Sequence, residues 1–447
     1  MHLMIKGRDS EEKYCSPPVS CQVTAPVSSE LRPLTAEFVM CFTGYLIAWL
    51  TFIRIGYASD FCSADIQGNC GLENESRNKY AEGHEQRYSL YLEAIHSANN
   101  VVEESTEDCT SHKNCELYVD IIEADLKPFR ETGISRVLIE AAKARGTYYQ
   151  IINGKLYREK ECMFPSRCAG IEHFIISLIG DLPNMDLVMN IKDHPQSSKH
   201  FGKPLPVFSF SKTQEYYDIT YPAWSFWEGG PAISLYPRGL GRWDLHRKSL
   251  NEASKKRPWK AKEDRAFFRG SRTSNERDNL VMLSRRRPDL VEARYTKNQA
   301  WKSEADTLYK PPADEISLES HCDFKYLFNF RGVAASFRHK HLFLCRSLVF
   351  HVGNQWTEFY YGAMKPWLHF IPVPTDATQE HLEELILFAR KNDAVARKIA
   401  NQGRDFIWNH LRMENVTHFW KSLLQRYGEL LAYKPILDKT LIEIRGK

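Results

Sequence analysis

The chain lacks the short signatures from which a catalytic class is most often read. It has no G-x-S-x-G, no H-E-x-x-H, no phosphate-binding G-x-x-x-x-G-K-[ST] loop and no G-x-G-x-x-G. Their absence lowers the serine hydrolase, zinc protease, NTPase and dinucleotide readings. Asp-x-Asp is missing as well, and with it the commonest metal clamp for nucleoside-diphosphate sugars. The 11 cysteines form no C-x-x-C and have no His partners at zinc-finger spacing; disulfides in an oxidising compartment fit them better than metal. Charge of one sign is scarce: 60 Lys and Arg face 56 acids, a net +4, which singles out no polyanion. The basic runs at 255–262 and Arg285 to Arg287 have acids around them and no nucleic-acid motif beside them, so they read as solvated surface.

Long apolar runs are also few. Phe38 to Ile53 is an uncharged, mainly apolar stretch of 16 residues, short of the ~20 that a membrane span needs. Gly56-Tyr57-Ala58 follows it as a small-residue cleavage site, which together read as a signal peptide. The polar lead Met1 to Thr35 is unusual before such a signal, and an uncleaved anchor or a start placed too far upstream explains it equally. In a lumenal chain Asn74-Glu75-Ser76 and Asn415-Val416-Thr417 are glycosylation acceptors.

What is present is enough apolar material, 43% of 447 residues, for more than one core. Residues 1–58 are the extension with signal or anchor and 59–85 a polar linker; 86–250 and 251–447 are two α/β domains. Asn153-Gly154 between apolar runs signals a hairpin. Cys162 and Cys168 then bracket a short, stiff loop that a disulfide would hold. Ile171, Phe174, Ile175, Leu178 and Ile179 follow the spacing of an amphipathic helix, and Leu187 to Ile191 a strand stopped by Pro195. Asp193 thus lies at the carboxyl end of a strand expected to be parallel, the edge where open α/β sheets place ligands. The aromatic segment Tyr221 to Pro231 is either a core lining or a ligand wall. The polar, Pro-broken segment Asn251 to Asp264 marks the domain boundary. Past it, a strand from Arg265 runs into Arg269-Gly270-Ser271, and three long amphipathic helices from Thr378 cap the second half.

The organising stretch is Lys325 to Val352. Tyr326 to Phe330 reads as a buried strand, Ala334 to Leu344 as a helix and Ser347 to Val352 as a second strand, one βαβ unit. That arrangement aims the amides of Val333, Ala334, Ala335, Ser336 and Phe337 out of the first helical turn, beside Arg331 and Arg338. Free backbone donors, the positive end of a helix dipole and two guanidinium groups favour a diphosphate. An ordinary strand-turn-helix with its arginines in water fits the same spacing. Cys322 and Cys345 fall at one end of the unit, where they can bridge.

Several segments resemble a known family far more specifically: ECMFPSRCAG (161–170), YPAWSFWEGGPA (221–232), GLGRWDL (239–245), FFRGSRTS (267–274), TKNQAWKS (296–303) and YLFNFRGVAASFRHKHLFLC (326–345). They are similar to the Rumi-type lumenal protein O-glucosyltransferases, over roughly residues 85–430. The resemblance implies an α/β chain of the GT-B type, with two Rossmann-like domains facing a cleft. It implies inverting transfer of glucose, or xylose, from the UDP-sugar to serine in C-x-S-x-P-C of EGF-like repeats such as those of Notch receptors.

Position by position it implies Asp193 as catalytic base. It implies Tyr236, Ser271, Arg277 and the run Val333 to Arg338 as UDP-sugar contacts. Acceptor contacts would be Met163, Phe164, Pro165, Ser166, Arg167, Ala232, Ile233, Ser234, Leu235 and Gln299. No metal is implied, nor any nucleic acid, and a membrane partner only through an uncleaved anchor. Where the family has further cysteines this chain has Leu117 and His418, which suggests that Cys109 pairs with Cys115. Residence is expected in the endoplasmic reticulum, although the chain ends Ile444-Arg445-Gly446-Lys447 without a KDEL-like retention signal. A non-catalytic EGF-repeat chaperone and a same-fold transferase with a glycan acceptor are the rival readings.

Overall fold

The computed structural model describes residues 85–100, 116–230, 235–236, 239–297 and 303–446. Asn74, Cys109, Cys115, Ala232, Ile233, Ser234, Gln299, the segment Phe38 to Ile53 and the strand expected from Ile233 lie outside them or mostly so. No helix among the described residues is long and apolar enough to cross a membrane.

Along the chain come α1 (residues 85–100), α2 (Val119–Leu126), α3 (Arg136–Ala142), β1 (Thr147–Ile152), β2 (Lys155–Arg158), α4 (Pro165–Leu178), β3 (Met185–Met189), β4 (Val207–Ser209), β5 (Ile219–Thr220) and α5 (Trp243–Lys256). The hairpin turn is where expected: Asn153 (φ 49°) and Gly154 (φ 70°) both take the left-handed conformation of a type I′ turn. Helix α4 buries Ile171, Phe174, Ile175 and Leu178, the face that the spacing marked. It starts earlier than expected, at Pro165, which fits the first helical turn because its missing N–H would have no partner there. The Cys162–Cys168 disulfide forms, but it clamps a helix start and not a loop. Asn251 to Lys256, placed in the boundary segment, are the last turns of α5.

The second half adds β6 (Glu263–Gly270), α6 (Asp278–Arg286), β7 (Val291–Tyr295), the short α7 (Leu318–His321), β8 (Phe324–Asn329), α8 (His339–Leu344), β9 (Leu348–Val352), β10 (Ile371–Val373), α9 (Gln379–Lys391), α10 (Asp393–His410), α11 (Met413–Glu429) and β11 (Ile442–Ile444). Its sheet runs in the order β10-β9-β8-β6-β7, every pairing parallel. Counted along the chain that is 2-1-3-4-5, a doubly wound order whose switch point lies between β6 and β8. The first sheet, β11-β2-β1-β3-β4-β5, is mixed. β3 pairs parallel with β4 but antiparallel with β1, so the strand that leads to Asp193 is parallel, as expected, to one neighbour only.

One apolar core takes in the first half together with the α8 face of the second sheet; another lies on that sheet's outer face with α9 and α10. The crossings are specific. Arg247 of α5 donates to the carbonyls of Ile407, Trp408 and Leu411 at the end of α10, a cation on the negative end of a helix. Tyr427 and Tyr433 reach back to Asp186 of β3, and β11 adds an edge strand beside β2.

Candidate active site

The expected βαβ unit is present, and Cys322 bridges Cys345 at its base. Its helix starts late, however. Residues 333–335 are bends and 337–338 a turn, and α8 begins only at His339, so the amides of Val333 to Phe337 belong to a loop and not to a first helical turn. Packing explains the delay: the Phe337 ring is drawn across to Phe210 (4.8 Å) and Trp224 (5.9 Å) of the first half. Ala334, Ala335 and Ser336 are buried beneath it while Val333 is exposed.

This loop leaves the carboxyl end of β8 beside that of β6, so the chain's switch point gathers Ser271, Arg277, Arg331 and Arg338. Arg277 is buried, and its guanidinium donates to the backbone carbonyls of Ser271 and Arg331. Desolvation and the neighbouring Arg338 push its pKa down to about 9. Arg338 donates to the carbonyl of Arg269, and desolvation lowers its pKa to about 10. Both cations lie against the ring of Phe268, at 5.4 and 5.5 Å. Among the described residues neither has a carboxylate partner, whereas Arg331 pairs with Glu276 at 2.7 Å and Arg272 with Asp278 at 2.6 Å. Two crowded, desolvated guanidinium groups without a counterion form a site that an anion would relieve. Gly270 keeps the place open, since a Cβ there would stand 3.0 Å from Arg338 Nη2.

Next to this point opens a cleft of about 340 Å³, lined among others by Glu276, Arg331, Ala335, Ser336, His351 and Trp356. Trp356 was missed in the sequence. It lies just past the end of β9, and the rule that ligands gather at carboxyl ends of parallel strands was the signal available for it.

On the first sheet, Asn190 ends β3 and builds the turn that carries the candidate base. Its buried amide donates to His194 O (2.7 Å) and Ser209 Oγ (2.9 Å) and accepts from Lys192 N (2.9 Å). Asp218, also buried, takes the amides of Gln196 and Ser197 at 2.7 and 2.6 Å, and burial raises its pKa in spite of those bonds. Between these anchors the Asp193 side chain stays 37% exposed and meets Arg167 Nη1 at 3.1 Å. Arg167 in turn donates to Ile191 O (2.6 Å) and lies over the rings of Phe164 (4.4 Å) and Trp224 (4.6 Å).

The structure thus brings Asp193 together with Phe164 and Arg167, and Met163 beside them is 66% exposed. The aromatic segment resolves as core for Tyr221, Trp224 and Phe226, all fully buried. Leu235 is exposed. Tyr236 accepts from Leu318 N of α7 at 3.0 Å and donates towards Glu319 at 3.5 Å, so it stands where the halves meet. Asn415 lies in the first turn of α11, its side-chain oxygen taken by Arg412 N at 3.3 Å. No group of three or more His, Cys, Asp or Glu side chains among the described residues is arranged to hold a metal ion.

One strand edge thus carries a partly exposed carboxylate and the other two arginines that, among the described residues, have no ion-paired carboxylate. Residues 110–447 match the model of glycosyl transferase family 90, and the chain belongs to that family. It is therefore a glycosyltransferase, an enzyme with a nucleotide-sugar donor. Among its relatives are an O-glucosyltransferase rumi homolog of Anopheles gambiae, 58% identical over 80% of this chain and 88% of that protein. The O-glucosyltransferase rumi of Drosophila melanogaster is 48% identical over 90% of this chain and 97% of its own length. Protein O-glucosyltransferase 1 of Homo sapiens is 57% identical over 74% and 84%.

Proposed function

We propose that this chain transfers glucose, with xylose as a second candidate sugar, from the UDP-sugar to a serine in C-x-S-x-P-C of folded EGF-like repeats, in the lumen of the secretory pathway. The observation that carries the reading is Asp193: a carboxylate held on a braced turn, open to solvent, with exposed Met163 and partly exposed Phe164 beside it. Serine is a weak nucleophile at neutral pH. A carboxylate at this edge takes its proton as the bond to C1 of the sugar forms. The departing UDP gains charge as the glycosidic bond breaks, and in this reading Arg277, Arg338 and the amides after β8 are the donors that receive it. One displacement needs one base and no covalent enzyme intermediate, so the sugar's configuration inverts. The Cys162–Cys168 and Cys322–Cys345 disulfides support an oxidising compartment.

The test is transfer of label from UDP-glucose to a folded EGF-like repeat, with EDTA present, by wild type and Asp193→Asn. Wild type is expected to label the repeat. The variant should lose about a thousandfold in kcat, within the range of general-base removal, while still binding UDP. Label incorporated equally by both proteins would sink the assignment of Asp193. A repeat that binds without being labelled by wild type would favour a chaperone, and labelling that needs added metal would overturn the metal-free mechanism.

A further inference from the structure

Trp356 is one of the side chains through which the two edges touch. It lines the cleft together with Arg331, Ala335 and Ser336. Its ring system also meets His194, the residue after Asp193, with centroids 5.2 Å apart and planes at 81°. Such an edge-to-face geometry is favourable beyond the area it buries.

The backbones on either side are fixed. Thr357 N donates to Lys212 O at 2.9 Å and Lys212 N to Thr357 O at 3.2 Å, a two-bond bridge between the halves. The Lys212 ammonium is itself held by the Asp125 carboxylate and, at 2.7 Å, by Asp218 O. On the other side His194 O accepts from Asn190 and Gln196 at 2.7 and 2.8 Å. With both main chains pinned, the ring pair is a direct side-chain contact between the wall of the donor cleft and the residue next to the base, shorter than the path from Phe337 through Trp224 and Arg167 to Asp193.

We propose that Trp356 is a positioning residue: it forms one wall of the donor cleft and, through its contact with His194, holds the Asp193 turn at its working distance from that cleft. The proposal rests on the functional reading above. A donor that orders Trp356 would thereby also order the base, so the two substrates' sites would communicate through this aromatic contact.

The test combines variants at both rings with two readouts, turnover and direct calorimetric binding of UDP. Trp356→Ala is expected to lower kcat about tenfold and weaken UDP binding, with the KM for the EGF-like repeat unchanged; Trp356→Phe should restore kcat to within about threefold. His194→Ala should lower kcat similarly and, although His194 does not line the cleft, weaken UDP binding about threefold, with recovery in His194→Phe. The double alanine variant should fall no further than Trp356→Ala alone. Multiplicative losses, or UDP binding by His194→Ala equal to wild type, would overturn the link. A wild-type chain that transfers nothing would instead strike the functional reading, and the UDP arm would still decide the contact.

Discussion

The carboxyl edges of the two sheets are built on opposite plans. At the first, Asp193 stands 37% exposed on a turn whose framework, Asn190 and Asp218, is buried behind it. At the second it is the functional cations that are sunk, Arg277 to 4% exposure, with backbone carbonyls as their hydrogen-bond partners. Under the proposed function the difference follows ligand size. A folded protein acceptor cannot be engulfed, so its base must reach outward on a rigid support. A diphosphate is small enough to be surrounded, and a low-dielectric surround strengthens each contact made to it.

If the second edge is an anion site, its arginines can be removed at a cost to binding and little cost to the fold. Arg338→Met is expected to weaken UDP binding by about a hundredfold or more, as for a lost charge-assisted contact. Thermal unfolding should change little, because no carboxylate is orphaned. Binding by calorimetry and a melting curve on the same sample check both halves. A variant that binds UDP normally would erase the contrast between the edges.

The disulfides differ in the same sense. Cys322–Cys345 closes a sequence separation of 23 and Cys162–Cys168 one of 6. Chain-entropy arguments give about 3 kcal/mol for the first and about 2 kcal/mol for the second. Denaturant unfolding of Cys322→Ser/Cys345→Ser against Cys162→Ser/Cys168→Ser should rank them in that order. The reverse ranking would mean that the acceptor-side clamp does more for the fold than its short span allows.

Acid should act mainly through the second half. His321, His339 and His341 are buried there, and desolvation holds the first down to about 3 and the other two well below the ordinary 6.5. A depressed folded-state pKa means stability that is complete above 6.5 and lost as pH falls towards the folded value. Each such histidine should therefore cost about 1.4 kcal/mol per pH unit below 6.5. Melting temperatures at pH 7 and 5.5 measure the slope; His321→Gln should make it shallower. An unchanged slope would place the acid sensitivity elsewhere.

The smallest effect tests the fit of the anion site. Gly270→Ala puts a methyl group 3.0 Å from Arg338 Nη2 and should weaken UDP binding about threefold, the scale of a small shift in one hydrogen-bonded group. Stability should barely move, since the guanidinium is the movable end of a flexible side chain. Unaltered binding would show that Arg338 has room to give.

Local spacing carried much of this. The hairpin at Asn153-Gly154, the buried face of α4, both β8 and β9 and the pairing of Cys322 with Cys345 all follow from turn chemistry and periodicity, which act over a few residues. The start of α8 did not: Ala334 to Phe337 is a reasonable helical sequence, and the pull of Phe210 and Trp224 on Phe337 comes from residues more than 100 positions away. Nor did the antiparallel partner of β3, which hydrogen bonds across the sheet decide.

The sequence by itself determined which chemical groups are available at the two edges, because a carboxylate, a guanidinium or a glycine is fixed by its own covalent structure. Only the tertiary structure decided that Asp193 stays open while Arg277 is buried, and that Trp356 meets His194. Exposure and electrostatic environment are set by what packs around a group, and those atoms arrive from distant parts of the chain.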